Sequence, residues 1–371
     1  MGFHGASMPP QGPGSKGEPG RFGRAGPRSE GFWACFLIRI YDALWQNVAP
    51  LSLGCLGVWT SILTVSEFDY PPEPVSENGE LVAEATPKPE PAKIEIPSLQ
   101  GKSAIVTGGG WNIGRAISLA LARAGAKVMI TSRNKVNLEE TCSLAHKEDL
   151  DVRMVQADLT DPEDVGRVFR CARDAFGQVD ILVNMAGGFG AGQPLPETDP
   201  RDWLDVVLRN FYTTYLCCRE ALSEMLGREQ GDILTCAGGG AFFPLLGTYA
   251  TAYASAKAAV CRFTDQLYAE VLGTPGIRIN CIEPGLTLSP KDLARIAEEE
   301  KQMGHPHPTR ELNHSPEDGA RLALFLLSPA AKALNGRILS VDEDWWRYPA
   351  KVAYIAQTDL YRLRRTFDTE G

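Results

Sequence analysis

A five-residue apolar run, Ser103-Ala-Ile-Val-Thr107, passes directly into a glycine turn and then into a helical pattern from Ile113 to Ala124. A strand that turns on glycines into a helix constrains the fold strongly. The helix packs back across the sheet and delivers the chain to a parallel neighbouring strand. The pattern then repeats: Lys127–Thr131, Val152–Gln156, Ile181–Asn184, Ile233–Cys236, Ile277–Ile282 and Ile338–Val341 read as further apolar strands separated by helical stretches. Alternating strands and helices predict an α/β fold, a doubly wound parallel sheet covered on both faces, forming a single core domain over residues 97–345. In such sheets ligands bind beyond the carboxyl ends of the strands.

The core carries appendages. Residues 1–31 are rich in Gly and Pro and are expected to be disordered. Residues 32–65 are apolar, and Val48 to Val65 hold no charge over 18 residues. As a helix that stretch reaches about 27 Å, against a hydrocarbon core of about 30 Å. Pro50, Ser52, Thr60, Ser61 and Thr64 interrupt it, so two readings stand: a membrane anchor or interfacial helix, and a helix packed on the core or on a second subunit. The stretch begins too far from Met1 for a signal peptide. Residues 66–96 hold eight acidic residues, two lysines and six prolines, a composition that predicts an extended linker. Residues 346–371 read as a short helical tail with Val352, Ile355, Ala356 and Leu363 on one face, interrupted by Asp359. The protein is accordingly expected in the cytoplasm or at a membrane through its N-terminal segment.

A net charge of −9 and the lack of any basic stripe argue against nucleic acid as a partner. The nine cysteines include no Cys-x-x-Cys pair and read as reduced, buried thiols. His305, His307 and His314 fall in a polar run, Leu286 to Ser315, without an accompanying cysteine or carboxylate cluster. That run is expected to be an irregular, mobile substrate lid and not a metal site.

The turn between the first strand and helix reads Thr107-Gly-Gly-Gly-Trp-Asn-Ile-Gly114. Glycines let backbone approach a diphosphate, and the helix N-terminus offers unpaired N–H groups and positive potential. The turn resembles the Thr-Gly-x-x-x-Gly-x-Gly motif of the short-chain dehydrogenase/reductase family, with Gly108 and Gly114 as the outer glycines and Asn112 replacing the middle one. Asparagine tolerates φ > 0, so the turn survives the exchange. The resemblance implies a Rossmann-like fold and a nicotinamide cofactor held by Thr107, Gly108, Asn112, Ile113 and Gly114. The second strand ends in Thr131-Ser-Arg-Asn134 with no carboxylate to hold two ribose hydroxyls. Ser132 and Arg133 suit a 2′-phosphate instead, which favours NADP(H) over NAD(H). The family likeness further places Asp158 and Leu159 by the adenine, and Asn184-Met-Ala-Gly187, with Asn184, Ala186 and Gly187, along the cofactor cleft. It places Pro284 and Gly285 after a strand, and Ser289 where a threonine usually bonds the nicotinamide amide.

Tyr253-Ala-Ser-Ala-Lys257 sets a phenol and an ammonium four residues apart, on one face of a helix. The ammonium is expected to lower the phenol's pKa, so that Tyr253 passes a proton while hydride moves. Asn210 aligns with the family's proton-relay asparagine, and Tyr249, one turn before Tyr253, is a candidate pocket residue. One family residue is missing. A serine normally follows the fifth strand beside the tyrosine, but here the chain reads Thr235-Cys-Ala-Gly-Gly-Gly-Ala241. Ala237 or Gly238 takes that place, and neither side chain donates a hydrogen bond. Loss of one oxyanion donor costs about 2.7–4 kcal/mol of transition-state stabilisation. Thr248, Thr251 or a water are the candidate substitutes.

The leading expectation is an oxidoreductase moving hydride between NADP(H) and a small-molecule carbonyl or secondary alcohol, and a homo-oligomer. The alternative is a cofactor-binding homologue with little turnover, acting as a sensor or scaffold. Every core motif lies beyond residue 96, so a chain lacking residues 1–96 should fold and bind cofactor. The full chain should sediment with membranes and the truncated chain should not; both staying soluble at high salt would exclude an anchor.

Overall fold

The computed structural model describes residues 96–364 except Ala191, Leu246 and Gly247. The chain divides into two units, Met1–Val82 and Ala83–Gly371, and all the described residues belong to the second. The readings of residues 1–31, 32–65 and nearly all of 66–96 lie outside the described residues. Among the described residues no helix is long and apolar enough to cross a membrane.

Seven strands form one parallel sheet: β1 (Ser103–Thr107), β2 (Lys127–Ser132), β3 (Val152–Gln156), β4 (Ile181–Asn184), β5 (Gly231–Cys236), β6 (Ile277–Glu283) and β7 (Ile338–Ser340). Their order is β3-β2-β1-β4-β5-β6-β7, the Rossmann-like doubly wound arrangement that the alternating pattern predicts. β1 has β2 on one side and β4 on the other, with Thr107 in register with both Thr131 and Asn184. Successive connections therefore leave β1 in opposite directions, and a crevice opens beyond its end.

Helices α1 (Asn112–Arg123), α2 (Lys135–His146) and α9 (Pro316–Leu327) cover one face, where Ile117, Leu121, Leu138 and Leu322 are fully buried. Helices α3 (Pro162–Phe176), α5 (Thr213–Arg228) and α6 (Thr251–Glu270) belong to the other, around Phe169, Ala221, Met225 and Ile233. Fully burying each large apolar side chain contributes about 1.5–3 kcal/mol, so both faces hold the sheet. The short helix α4 (Pro200–Val207) and a single π-helical turn, Leu208–Tyr212, lead into α5.

Two segments differ from the sequence expectation. The run Leu286–Ser315 is not an irregular loop: Pro290–Met303 forms helix α7, started by a capping box between Ser289 and Asp292, and Pro308–Glu311 forms the short α8. The capping box satisfies two first-turn N–H groups that polar composition alone does not reveal. The tail is also part of the core. Helix α10 (Pro349–Ala356) buries Val352 and Ile355, and Trp345 and Trp346 pack in the same cluster as β1 and α9. Arg337, only 1% exposed, ties the tail down by donating to the carbonyls of Ile355, Thr358 and Leu360. Burial pulls its pKa down to about 10, which still leaves it charged at neutral pH to hold those carbonyls.

Candidate functional site

A cleft of about 910 Å³ runs over the ends of the strands. At one end lies the β1–α1 turn. Gly108 has φ +66°, and a Cβ there would lie 2.9 Å from the Met185 carbonyl oxygen. A Cβ on Gly114 would lie 2.2 Å from the carbonyl oxygen of Gly108, so this position requires glycine. Asn112 adopts φ 46°, the conformation that asparagine tolerates in place of glycine. Helix α1 begins without a side-chain cap and without an acid in its first turn. Its unpaired N–H groups and positive end therefore suit an anion such as a diphosphate.

Gly108, Asn112, Ile113, Gly114, Ser132, Arg133, Asp158, Leu159, Ala186, Gly187, Tyr253, Lys257, Pro284 and Gly285 all line this cleft. Five expected residues do not. Thr107 is buried behind it, where its hydroxyl oxygen accepts the N–H groups of Met185 and Ala186 at 3.0 Å, locking the β1 turn to the β4 loop. Asn184 is likewise buried, its amide donating to Cys218 Sγ at 3.4 Å. Asn210 is fully buried on the π-helical turn; its Oδ1 accepts from Gly188 N–H at 3.1 Å and its Nδ2 donates to Gly188 O at 2.9 Å. Ser289 is taken up by the capping box with Asp292, and Thr287, two residues earlier, lines the cleft in its stead. Tyr249 precedes α6 and is not part of the cleft wall.

Tyr253 and Lys257 sit in the first two turns of α6. The ammonium of Lys257 is buried, donates to the Cys236 carbonyl at 3.0 Å and lies 5.8 Å from the centre of the Tyr253 ring. Phe189 packs against the same ring, centroid to centroid 5.1 Å. The Lys257 ammonium does lower the phenol's pKa, as expected, but it is not the larger influence. Burial raises the pKa above the ordinary tyrosine value, and the Lys257 charge offsets only part of that rise. Sequence spacing reveals the cation but not the desolvation.

Ala237 and Gly238, the two residues expected at the position of the family's serine, differ in their surroundings. Ala237 is buried in an apolar cluster with Val260, Cys261 and Cys281. Gly238 faces the reacting side: a Cβ there would lie 2.4 Å from the Tyr253 hydroxyl, so any side chain requires the phenol to move. Of the two threonines considered as substitutes, Thr248 commits its O–H to a backbone carbonyl and Thr251 accepts a bond while keeping its own O–H. Thr251 Oγ1 accepts from Trp203 Nε1 at 3.1 Å, and Thr248 Oγ1 donates to the Leu245 carbonyl at 2.9 Å. His314 Nε2 lies 2.6 Å from Asp342, and His307 caps α8; among the described residues no group of three or more metal-ligating side chains assembles.

Glu283, Asp342, Arg209, Thr213 and Phe243 line the cleft without having been singled out from sequence. Only Glu283 had a local signal, as the residue immediately before Pro284-Gly285. Burial, then the neighbouring Asp342 and Glu343 carboxylates, push Glu283 up to about 7. A folded value above the unfolded one means that this group's stabilising contribution is complete below about pH 4.5 and is lost as pH rises through about 7. Glu283→Gln should therefore remove about 2 kcal/mol of the stability difference between pH 5 and pH 8, read from urea denaturation midpoints. An unchanged difference would mean that Glu283 is not the titrating group.

Comparison with known proteins agrees with this geometry. The short chain dehydrogenase family model matches residues 102–300. A 7alpha-hydroxysteroid dehydrogenase of Escherichia coli (strain K12) is 33% identical over 246 residues, 66% of this chain and 93% of its own. A probable 2,4-dienoyl-CoA reductase of Bacillus subtilis (strain 168) is 31% identical over 254 residues, 68% of this chain and 99% of its own. Among solved structures, a variant of the actinorhodin polyketide ketoreductase crystallised with NADPH superposes with a TM-score of 0.59 at 25% identity, over 65% of this chain and 95% of that one. With the glycine turn, the doubly wound sheet and these matches together, the chain belongs to the short-chain dehydrogenase family and is an oxidoreductase of that family.

Proposed function

We propose that the protein transfers hydride between NADP(H) and a carbonyl or secondary alcohol, with Tyr253 as proton donor and acceptor and Lys257 as its electrostatic partner. The observation that carries this reading is the placement of the Tyr253 hydroxyl over Gly238 in the same cleft that begins at the α1 N-terminus. When bound, the cofactor supplies or accepts the hydride. Gly108, Asn112, Ile113 and Gly114 would hold its diphosphate, Ser132 and Arg133 its 2′-phosphate, and Asp158 and Leu159 its adenine. Ala186, Gly187, Pro284, Gly285 and Thr287 would shape the nicotinamide end.

The chain's own groups handle the proton. Tyr253 is the donor to a carbonyl oxygen as negative charge develops there; burial raises its pKa and so opposes donation, while the Lys257 ammonium works the other way. The Lys257 ammonium then stabilises the phenolate. Lys257 is held in place by the Cys236 carbonyl, and Asn210 fixes the loop at Gly188 that carries Phe189 onto the tyrosine ring. Gly238 offers the substrate oxygen no side-chain donor, an observation that favours slow turnover and keeps the cofactor-binding homologue as a second reading.

Tyr253→Phe keeps the ring and removes the donor. It should leave NADPH affinity within about twofold while turnover falls about 10²–10⁴-fold, measured as loss of nicotinamide absorbance with a carbonyl panel. Unchanged turnover would remove Tyr253 from the proposed role; no turnover by the unmodified protein across carbonyls and alcohols would select the second reading. For the cofactor, Arg133→Ala should weaken NADPH binding about tenfold and leave NADH binding unaltered. Equal affinities for the two cofactors in the unmodified protein would sink the 2′-phosphate assignment.

A further inference from the structure

Arg209 stands one residue before Asn210 on the π-helical turn and lines the cleft. Its Nε is buried and has no hydrogen-bond partner among the described residues. A terminal nitrogen lies 3.3 Å from Asp205, a carboxylate one turn earlier that is itself 53% exposed. Such an exposed pair within one helix does little to hold a guanidinium. The side chain is 25% exposed, neither free in water nor sealed in the core.

The loop beside it is shaped for this arginine. Gly190 has φ +83°, and a Cβ there would lie 2.9 Å from Arg209 Nη2. The preceding residue of that loop, Phe189, is the one packed on the Tyr253 ring. The guanidinium and the tyrosine thus border one short loop. The wall also carries apolar side chains, with Phe243, Leu286 and Leu312 each well exposed and lining the cleft beside the carboxylates of Glu283 and Asp342. Large apolar side chains exposed around a cleft mark a surface that an apolar ligand covers.

A guanidinium with an unsatisfied donor recognises a carboxylate or phosphate through paired N–H···O bonds, and a buried donor is costly until an acceptor meets it. We infer that Arg209 anchors an anionic group on the carbonyl substrate, so that the substrate is amphipathic: an apolar body, a carbonyl presented to Tyr253, and a carboxylate or phosphate at Arg209. This inference rests on the proposed hydride-transfer reading. The same chemistry would suit a phosphate of the dinucleotide, and the experiment separates the two sources.

The test uses the full chain saturated with NADP+, which has no hydride to give a carbonyl, and follows binding by calorimetry, with an oxodecanoic acid and its methyl ester as probes. The acid should bind about tenfold more tightly than the ester, a ratio that falls to about one in Arg209→Met and returns in part in Arg209→Lys, which keeps charge but not the fork. NADPH affinity should stay within about twofold throughout. Equal binding of acid and ester to the unmodified protein, or no detectable binding of the acid, overturns the inference. So does a loss of NADPH affinity in Arg209→Met with the acid-to-ester ratio intact, which assigns the guanidinium to a cofactor phosphate. If the methionine variant does not fold, the same comparison in Arg209→Lys decides, an unaltered ratio then counting against the fork. Because binding is read as heat, the outcome is independent of whether Tyr253→Phe abolishes turnover, and the two readings fail separately.

Discussion

The arrangement around β1 governs the rest of the structure. Its two neighbours, β2 and β4, continue the sheet in opposite directions, so no helix crosses the gap above Thr107. The Thr107 hydroxyl then accepts two N–H groups from the β4 loop, which fixes that loop against the glycine turn. The α1 N-terminus, the β4 loop and the start of α6 can converge on one cleft only because this crevice is open and its walls are pinned.

The chemistry within that cleft depends on the balance between burial and charge. Lys257 is buried and donates to the Cys236 carbonyl, which holds its positive charge beside the phenol. Tyr253 is buried strongly enough that desolvation outweighs that charge. The net result is a phenol whose pKa lies above the ordinary tyrosine value. Gly238 sits against the hydroxyl with no space for a side chain in the present geometry. The absence of serine is therefore matched by the position of the phenol, and the two would have to change together.

Much of the fold was legible because strand and helix periodicities are local. Each of the seven apolar runs formed a strand within two residues of its expected bounds, and Asn112 took the left-handed backbone its residue type permits. The Tyr253 and Lys257 pair was legible because spacing on a helix sets which side chains share a face. The lid was not. Its proline and histidine content suggested irregular chain, whereas Ser289 and Asp292 cap a helix there, a reciprocal bond that only the folded backbone reveals. The tail's role was similarly hidden, since Arg337 finds its carbonyl partners about 20 residues away.

Sequence alone determined the alternation of strands and helices, the glycine turn and the residue types available for proton transfer, because each follows from steric or spacing rules that act over a few residues. Tertiary structure decided which of those residues reach the cleft. It drew Thr107, Asn184 and Asn210 behind the wall as supports, engaged Ser289 in a helix cap while Thr287 lines the cleft, brought Arg209 and Phe189 to the loop beside Tyr253, and buried that tyrosine enough to outweigh the lysine's effect on its pKa. These outcomes depend on burial and on contacts between segments far apart in the chain, and neither quantity is carried by local pattern.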